Sequence, residues 1–173
     1  MEYNTAKIEL FSSWLGLNVT SKDMSVTVLS FNNIPIKEYI VIACGADEMA
    51  GSSSQTKVWP QENWIAVVAA LSEHIQVVQV GGSSDFVVTG AHSLVGKTSI
   101  TEAAYVIQRA KFVVSTDGGM IHIAKALKKK TVVLWGPTVP KIFGYLDQIN
   151  IVYDQCPCAF QVPDWTIRCH KGT

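Results

Sequence analysis

The sequence predicts an α/β fold in which a parallel β-sheet is covered by helices on both faces. Short runs rich in valine and isoleucine alternate with segments whose apolar residues recur at helical spacing. This alternation is typical of repeated strand–helix–strand units. Strands are predicted at 39–44, 75–80, 111–115, 131–135 and 149–153, with a weaker one near 86–88.

Three amphipathic helices are predicted between these strands. The first starts near Pro60, since proline suits the first helical position. The second starts at Ser99, whose spacing to Glu102 is that of a capping box. The third follows Gly118 and Gly119. The apolar stripes of the three helices, in chain order, are Trp64, Val67, Val68 and Leu71; Ile100, Ala103, Ala104 and Ile107; and Met120, Ile123, Ala124 and Leu127.

Length and charge favour one soluble domain that does not bind nucleic acid. The chain has 173 residues, and its 14 lysines and arginines balance its 14 acidic residues, so no basic footprint for nucleic acid is present. The longest apolar run, 64–71, is far shorter than the ~20 residues that a transmembrane helix needs. Four irregularly spaced cysteines indicate reduced thiols and a cytoplasmic protein.

Two glycine-containing segments predict an anion site. Gly118 and Gly119 lie between a predicted strand and a helix, and Gly136 follows the next strand. The first N–H groups of a helix have no intrahelical partner and lie at the positive end of its dipole. Residues without Cβ let a phosphate come close to these groups, so the site favours a diphosphate.

Four motifs follow one another along the chain: Lys57-Val-Trp-Pro60, Gly96-Lys-Thr-Ser-Ile100, Asp117-Gly-Gly-Met-Ile-His122 and Leu134-Trp-Gly-Pro-Thr138. In this order and spacing they resemble the motifs of glycosyltransferase family 9, the heptosyltransferases. The resemblance implies a Rossmann-like domain, like the C-terminal half of a GT-B glycosyltransferase. We expect 1–33 to be a helix and linker from an acceptor domain that the sequence lacks. Residues 34–155 would bind the nucleotide sugar, and 156–173 would form a cysteine-containing tail.

The resemblance also implies a reaction. Family members transfer heptose from ADP-heptose to the lipopolysaccharide inner core, without a metal or other cofactor. A carboxylate base deprotonates the acceptor, and the base is expected in the missing domain. This chain would therefore bind donor but not catalyse transfer alone. The full enzyme would act on a lipid-linked saccharide in the bacterial cytoplasm, at the periphery of the inner membrane.

Carried onto this sequence, the resemblance identifies candidate residues for donor binding. Asp117 and Pro137 are expected to have structural roles, with Asp117 accepting loop N–H groups at the helix start. Gly118 departs from the serine or threonine usual in the family, which removes one hydroxyl from the site. The donor-binding candidates are Lys57, Asp85, Thr98, Gly118, Gly119, His122, Gly136 and Thr138.

Three alternatives remain open from the residues. The segment 90–98 is similar to a P-loop, but five residues separate Gly90 from Gly96 where four are needed. The chain could instead be a non-catalytic module that binds a nucleotide or a protein. The tail cysteines Cys156, Cys158 and Cys169 could hold a metal, although their spacing is unusual for a metal site.

Overall fold

A computed structural model describes residues 24–32, 34, 38–45, 55–145 and 147–152. Residues 1–23 and 33 of the expected helix and linker lie outside these residues, as do the tail cysteines. In the described part of the chain, no helix is both long enough and apolar enough to cross a membrane.

Six parallel strands form a single sheet in the order β3-β2-β1-β4-β5-β6. This is the strand order of the Rossmann fold. The strands are β1 (Tyr39–Ala43), β2 (Gln76–Gln79), β3 (His92–Ser93), β4 (Val113–Thr116), β5 (Thr131–Trp135) and β6 (Ile149–Val152). The predicted α/β class and five of the predicted strands are confirmed.

The helices lie on both faces of this sheet, as predicted. They are α1 (Gln61–Ser72), α2 (Ile100–Arg109), α3 (Gly119–Ala126) and the short α4 (Pro140–Phe143), and a 3₁₀ turn covers Gln55–Lys57. Every residue of β1 is buried, and alternate β1 side chains enter separate clusters. Tyr39 and Val41 pack with Ile107 of α2, whereas Ile40 and Ile42 pack with Trp64 of α1.

The helix starts follow their sequence signals, with one correction to the start of α1 and one to the apolar stripe of α2. Ser99 caps α2 in a complete capping box with Glu102. Pro60 is the N-cap residue of α1, so the helix begins one residue later than predicted. Ile100 is 67% exposed because it occupies the first turn of α2, where the predicted apolar stripe has not yet reached the sheet.

The prediction of a weak strand near 86–88 is wrong. The third strand is His92–Ser93 instead, paired with Val78 and Gln79. The buried side chain of Gln79 donates to the carbonyl of Phe86 over 2.7 Å and accepts from the N–H of Val88 over 2.8 Å. This side chain thus satisfies the backbone groups that a neighbouring strand would have paired.

Candidate functional site: the crevice at the carboxyl ends of the central strands

The candidate site is the crevice at the carboxyl ends of β1 and β4, where the order of the strands reverses. After β1 the chain continues to β2 on one side, and it later returns to β4 on the other side of β1. Open α/β sheets bind ligands at this point, beside the carboxyl ends of the strands. The Thr116 hydroxyl at the end of β4 donates to the Gly45 carbonyl over 3.0 Å and so fixes the two strand ends together.

Helix α3 begins directly at this crevice. Gly118 is its N-cap residue and has extended backbone angles, φ −166° and ψ −174°, which any residue can adopt. A Cβ at this position would lie 3.7 Å from the Gly45 carbonyl oxygen, an ordinary contact. The predicted helix start is therefore confirmed, and its first-turn amides and positive dipole end lie beside the crevice.

Lys57, Asp117 and Thr138 form a polar cluster beside this helix start. The Lys57 ammonium lies 2.8 Å from Oδ2 of Asp117, and the Thr138 hydroxyl donates to the same oxygen over 2.6 Å. The Asp117 side chain is 6% exposed and that of Lys57 is 22% exposed. The carboxylate is thus paired with a cation that water can still reach, a favourable way to bury a charge.

Two of these residues differ from the sequence-based expectation. Asp117 was expected to accept loop N–H groups, but its partners are side chains of two other loops. Thr138 was expected to contact the donor, but the residue is only 3% exposed and its hydroxyl hydrogen is directed to Asp117. Thr138 is therefore a buried hydrogen-bond donor to the Asp117 carboxylate. The neighbouring Pro137 is buried, consistent with a structural role.

Gly136 leaves room for the 3₁₀ turn that positions Lys57. A Cβ on Gly136 would lie 2.6 Å from the Thr56 carbonyl oxygen and 3.4 Å from Cα of Lys57. Only a residue without a side chain permits this approach of two backbones. Gly136 thus contributes to the site by setting the distance between the end of β5 and the Lys57 turn.

Asp85 lies on the opposite side of Gly45 from Gly118. Its carboxylate accepts the Gly82 N–H over 2.8 Å and lies where a Cβ on Gly45 or Gly81 would be. Burial and the nearby Asp85 charge both raise the pKa of the Cys44 thiol, which keeps this residue protonated and unreactive. The crevice therefore has a carboxylate at each side of Gly45.

Thr98 and Lys97 lie farther along, at the entrance to α2. Thr98 is half-buried in the connection between β3 and α2. The ammonium of Lys97 donates to the Ser93 carbonyl over 2.9 Å. Strand β3 lies within the segment 90–98, so this segment does not form the continuous loop that wraps phosphates in a P-loop. The structure thus contradicts the P-loop alternative.

His122 lies one turn into α3, next to Tyr145. Its Nδ1 is 2.7 Å from the Tyr145 hydroxyl oxygen, and the two rings meet edge to face with 5.6 Å between centroids. Burial, reinforced by the charge of Asp147, raises the pKa of Tyr145, so its hydroxyl stays protonated at neutral pH.

The structure brings together residues that the sequence did not identify. Gly45 could have been found as the glycine that follows the first predicted strand. Thr56 and Tyr145 have no such signal, since their roles come from contacts with residues far away in the chain. In the described ranges 24–32, 34, 38–45, 55–145 and 147–152, no group of three histidine, cysteine or acidic side chains is arranged to hold a metal ion.

The strand order and the crevice place the protein among Rossmann-like α/β domains. Among solved structures, E. coli heptosyltransferase WaaC with ADP is similar, with a TM-score of 0.57 and 24% identity over 82% of this chain and 47% of that one. The iron-containing dodecameric glycosyltransferase TibC from enterotoxigenic E. coli H10407 has a TM-score of 0.66 and 20% identity, covering 88% of this chain and 40% of that one. These likenesses establish a common fold.

Sequence comparison establishes the family. The model of glycosyltransferase family 9 (heptosyltransferase) matches residues 7–164, and the chain belongs to this family. It is 27% identical over 149 residues to lipopolysaccharide heptosyltransferase 1 of Escherichia coli K12, covering 79% of this chain and 45% of that protein. It is 26% identical over 141 residues to lipopolysaccharide heptosyltransferase 2 of the same strain, covering 73% and 39%. The chain therefore spans less than half the length of these relatives and matches roughly their C-terminal half.

Proposed function

We propose that this chain is the donor-binding half of a heptosyltransferase and binds ADP-heptose in the crevice beside Gly118 and Gly119. In the full enzyme the heptose is transferred to the lipopolysaccharide inner core or a related acceptor. The observation that carries the proposal is the Lys57–Asp117 pair, with 2.8 Å between Nζ and Oδ2, placed next to the start of α3. This arrangement combines a solvent-accessible cation, positioned by Asp117, with a helix dipole, and both attract a diphosphate.

The same groups would stabilise the nucleoside diphosphate as it leaves the sugar. Negative charge grows on the diphosphate as the bond to the sugar breaks. Donors that are already oriented stabilise such a charge without reorganising. The first-turn amides of α3 and the ammonium of Lys57 provide these donors, while Asp117 holds the ammonium in place. Asp85, across Gly45, would accept hydrogen bonds from ribose hydroxyls, and Thr98 would lie near the adenine or ribose.

The catalytic base is assigned to an acceptor-binding domain outside the described residues. The two relatives named above are each more than twice as long as the segment that matches this chain, which supports a second domain in the full enzyme. We therefore expect this chain to bind the donor but not to transfer heptose by itself.

Isothermal titration of ADP and ADP-heptose tests the proposal. We expect saturable binding of both, weakened at least tenfold in Lys57→Ala. Lys111→Ala is the matched control, since Lys111 also forms an ion pair, 2.9 Å from Glu38, but beside the amino ends of β1 and β4, away from the candidate site. Equal losses in the two variants, or no binding by the unaltered protein, would refute the proposal.

The same titration supports two further checks, one on Lys97 and one on unaided transfer. Lys97→Ala should leave ADP binding unchanged, because the Lys97 ammonium is held by the Ser93 carbonyl. Adding an acceptor saccharide to the chain with ADP-heptose should release no ADP. Measurable release would show that the chain catalyses transfer unaided.

A further inference from the structure

Tyr145 contacts His122 from a segment that lies 23 residues farther along the chain. The Cα–Cβ bonds of a helix tilt toward its amino terminus, so the His122 side chain leans toward the crevice at the start of α3. Tyr145 meets the Nδ1 side of the imidazole, at 2.7 Å, and its ring packs against the imidazole edge to face. The hydrogen bond and the ring contact with Tyr145 together restrict both the position and the rotation of the His122 ring.

The surroundings of Tyr145 hold it in this position. Its hydroxyl lies 3.2 Å from Sδ of Met24, a residue of the segment 24–32 that precedes the first strand. The ammonium of Lys125, one turn after His122, lies 5.4 Å from the centre of the Tyr145 ring and 2.6 Å from Oδ2 of Asp147. The aromatic ring is therefore fixed by α3 as well as by its own segment.

We propose that Tyr145 is a positioning residue that makes Nε2 of His122 a hydrogen-bond donor to an oxygen of the bound nucleotide sugar. This inference rests on the proposed function. An imidazole nitrogen is a much stronger acceptor than a thioether, so in the neutral state the Tyr145 hydroxyl donates to Nδ1. The histidine hydrogen then resides on Nε2.

The same hydroxyl accommodates the protonated imidazole. When both ring nitrogens carry hydrogen, Nδ1 donates to the Tyr145 oxygen, and the hydroxyl hydrogen turns to Sδ of Met24. Rotation of one hydroxyl therefore keeps a hydrogen on Nε2 in both protonation states. Lys125 and Asp147 are the charged groups beside Tyr145, and their pairing limits the net field on this contact.

Tyr145→Phe tests the inference because it removes the hydroxyl and keeps the ring. The ¹⁵N shifts of His122 at a pH where it is neutral report which nitrogen carries the hydrogen. We expect the Nε2–H tautomer to dominate in the unaltered protein and to lose its preference in Tyr145→Phe. ADP-heptose binding should weaken about three- to tenfold, the effect of losing one oriented hydrogen bond.

Two control variants separate positioning from general damage. Tyr105→Phe removes a tyrosine hydroxyl from α2, where that ring contacts Arg109, and should change neither readout. Met24→Leu should leave the neutral tautomer unchanged, because the thioether is not used in that state. An unchanged tautomer preference in Tyr145→Phe would overturn the inference, as would unchanged ADP-heptose affinity.

Failure of the proposed function gives a different result. If the unaltered protein binds neither ADP nor ADP-heptose, the nucleotide-sugar role of the crevice is refuted, and with it the assignment of Nε2 to a sugar-nucleotide oxygen. The tautomer measurement needs no ligand, so it still determines whether Tyr145 orients His122.

Discussion

Lys57 and Asp117 form an ion pair beside the start of α3, with 2.8 Å between Nζ and Oδ2. Asp117 directly follows β4 in the connection to α3, whereas Lys57 comes from the 3₁₀ turn before α1. The pair therefore joins two loops that are far apart in the chain. It also sets a cation at the place where the helix dipole favours an anion.

Removing Lys57 and removing Asp117 should have unequal effects on the stability of the fold. Lys57→Ala leaves the nearly buried Asp117 carboxylate with only Thr138, so we expect a loss of about 1–3 kcal/mol in the free energy of unfolding. Asp117→Asn should cost less, since the more exposed Lys57 can be hydrated by water. Urea unfolding of both single variants and the double variant gives the coupling energy. A coupling near zero would contradict the prediction.

Gly136→Ala should disturb the Lys57 turn. The new Cβ would lie 2.6 Å from the Thr56 carbonyl oxygen, so one backbone must move. We expect a loss of about 1–3 kcal/mol in stability, typical of overpacking, together with weaker ADP binding. Gly82→Ala is the control, because its Cβ would find its nearest neighbours only at 4.0 Å. Similar stability and ADP affinity in the two variants would refute the role of Gly136.

Gly118→Ser should strengthen donor binding. The extended backbone and the 3.7 Å separation from Gly45 leave room for a side chain. A serine hydroxyl here could donate to a phosphate, and a hydrogen bond to a charged group contributes about 1.5 kcal/mol, or about tenfold in affinity. Gly118→Ala adds Cβ without the hydroxyl and should leave ADP affinity near that of the unaltered protein. If titration finds the two variants alike, the phosphate does not lie beside this residue.

Ser99→Ala should destabilise α2 in a pH-dependent way. Ser99 accepts the Glu102 N–H over 3.3 Å and donates to the Glu102 carboxylate over 2.7 Å, so its loss should cost about 0.5–2 kcal/mol at neutral pH. Hydrogen bonds from the backbone and side chain of Ser99 lower the pKa of Glu102.

The sign of this pH dependence follows from the lowered pKa. A carboxylate whose pKa is lowered in the folded state stabilises that state at pH values above the pKa of the unfolded state, here 4.5. This contribution is lost as the pH falls through the pKa of the folded state. The difference in melting temperature between Ser99→Ala and the unaltered protein should therefore shrink below pH 4.5. Ser84→Ala, at an exposed loop serine, should show no such trend.

Local patterns in the sequence were sufficient for most elements of the fold. Strand β5 was predicted with both of its ends, and the capping box at Ser99 placed the start of α2. The prediction failed where a side chain replaces backbone pairing, as Gln79 does for the segment 86–88. Local sequence cannot show such a substitution, because it depends on which residue the fold brings alongside.

The sequence by itself determined the α/β class, the start of α3 at Gly118 and the family to which the chain belongs. These follow from periodicity, capping and motif order, all of which are local properties of the chain. Only the tertiary structure decided that Asp117 pairs with Lys57, that Thr138 is buried beneath them and that Tyr145 orients His122. The physical reason is that the direction of a buried polar side chain is set by the partners that remove it from water, and the folded chain alone brings those partners together.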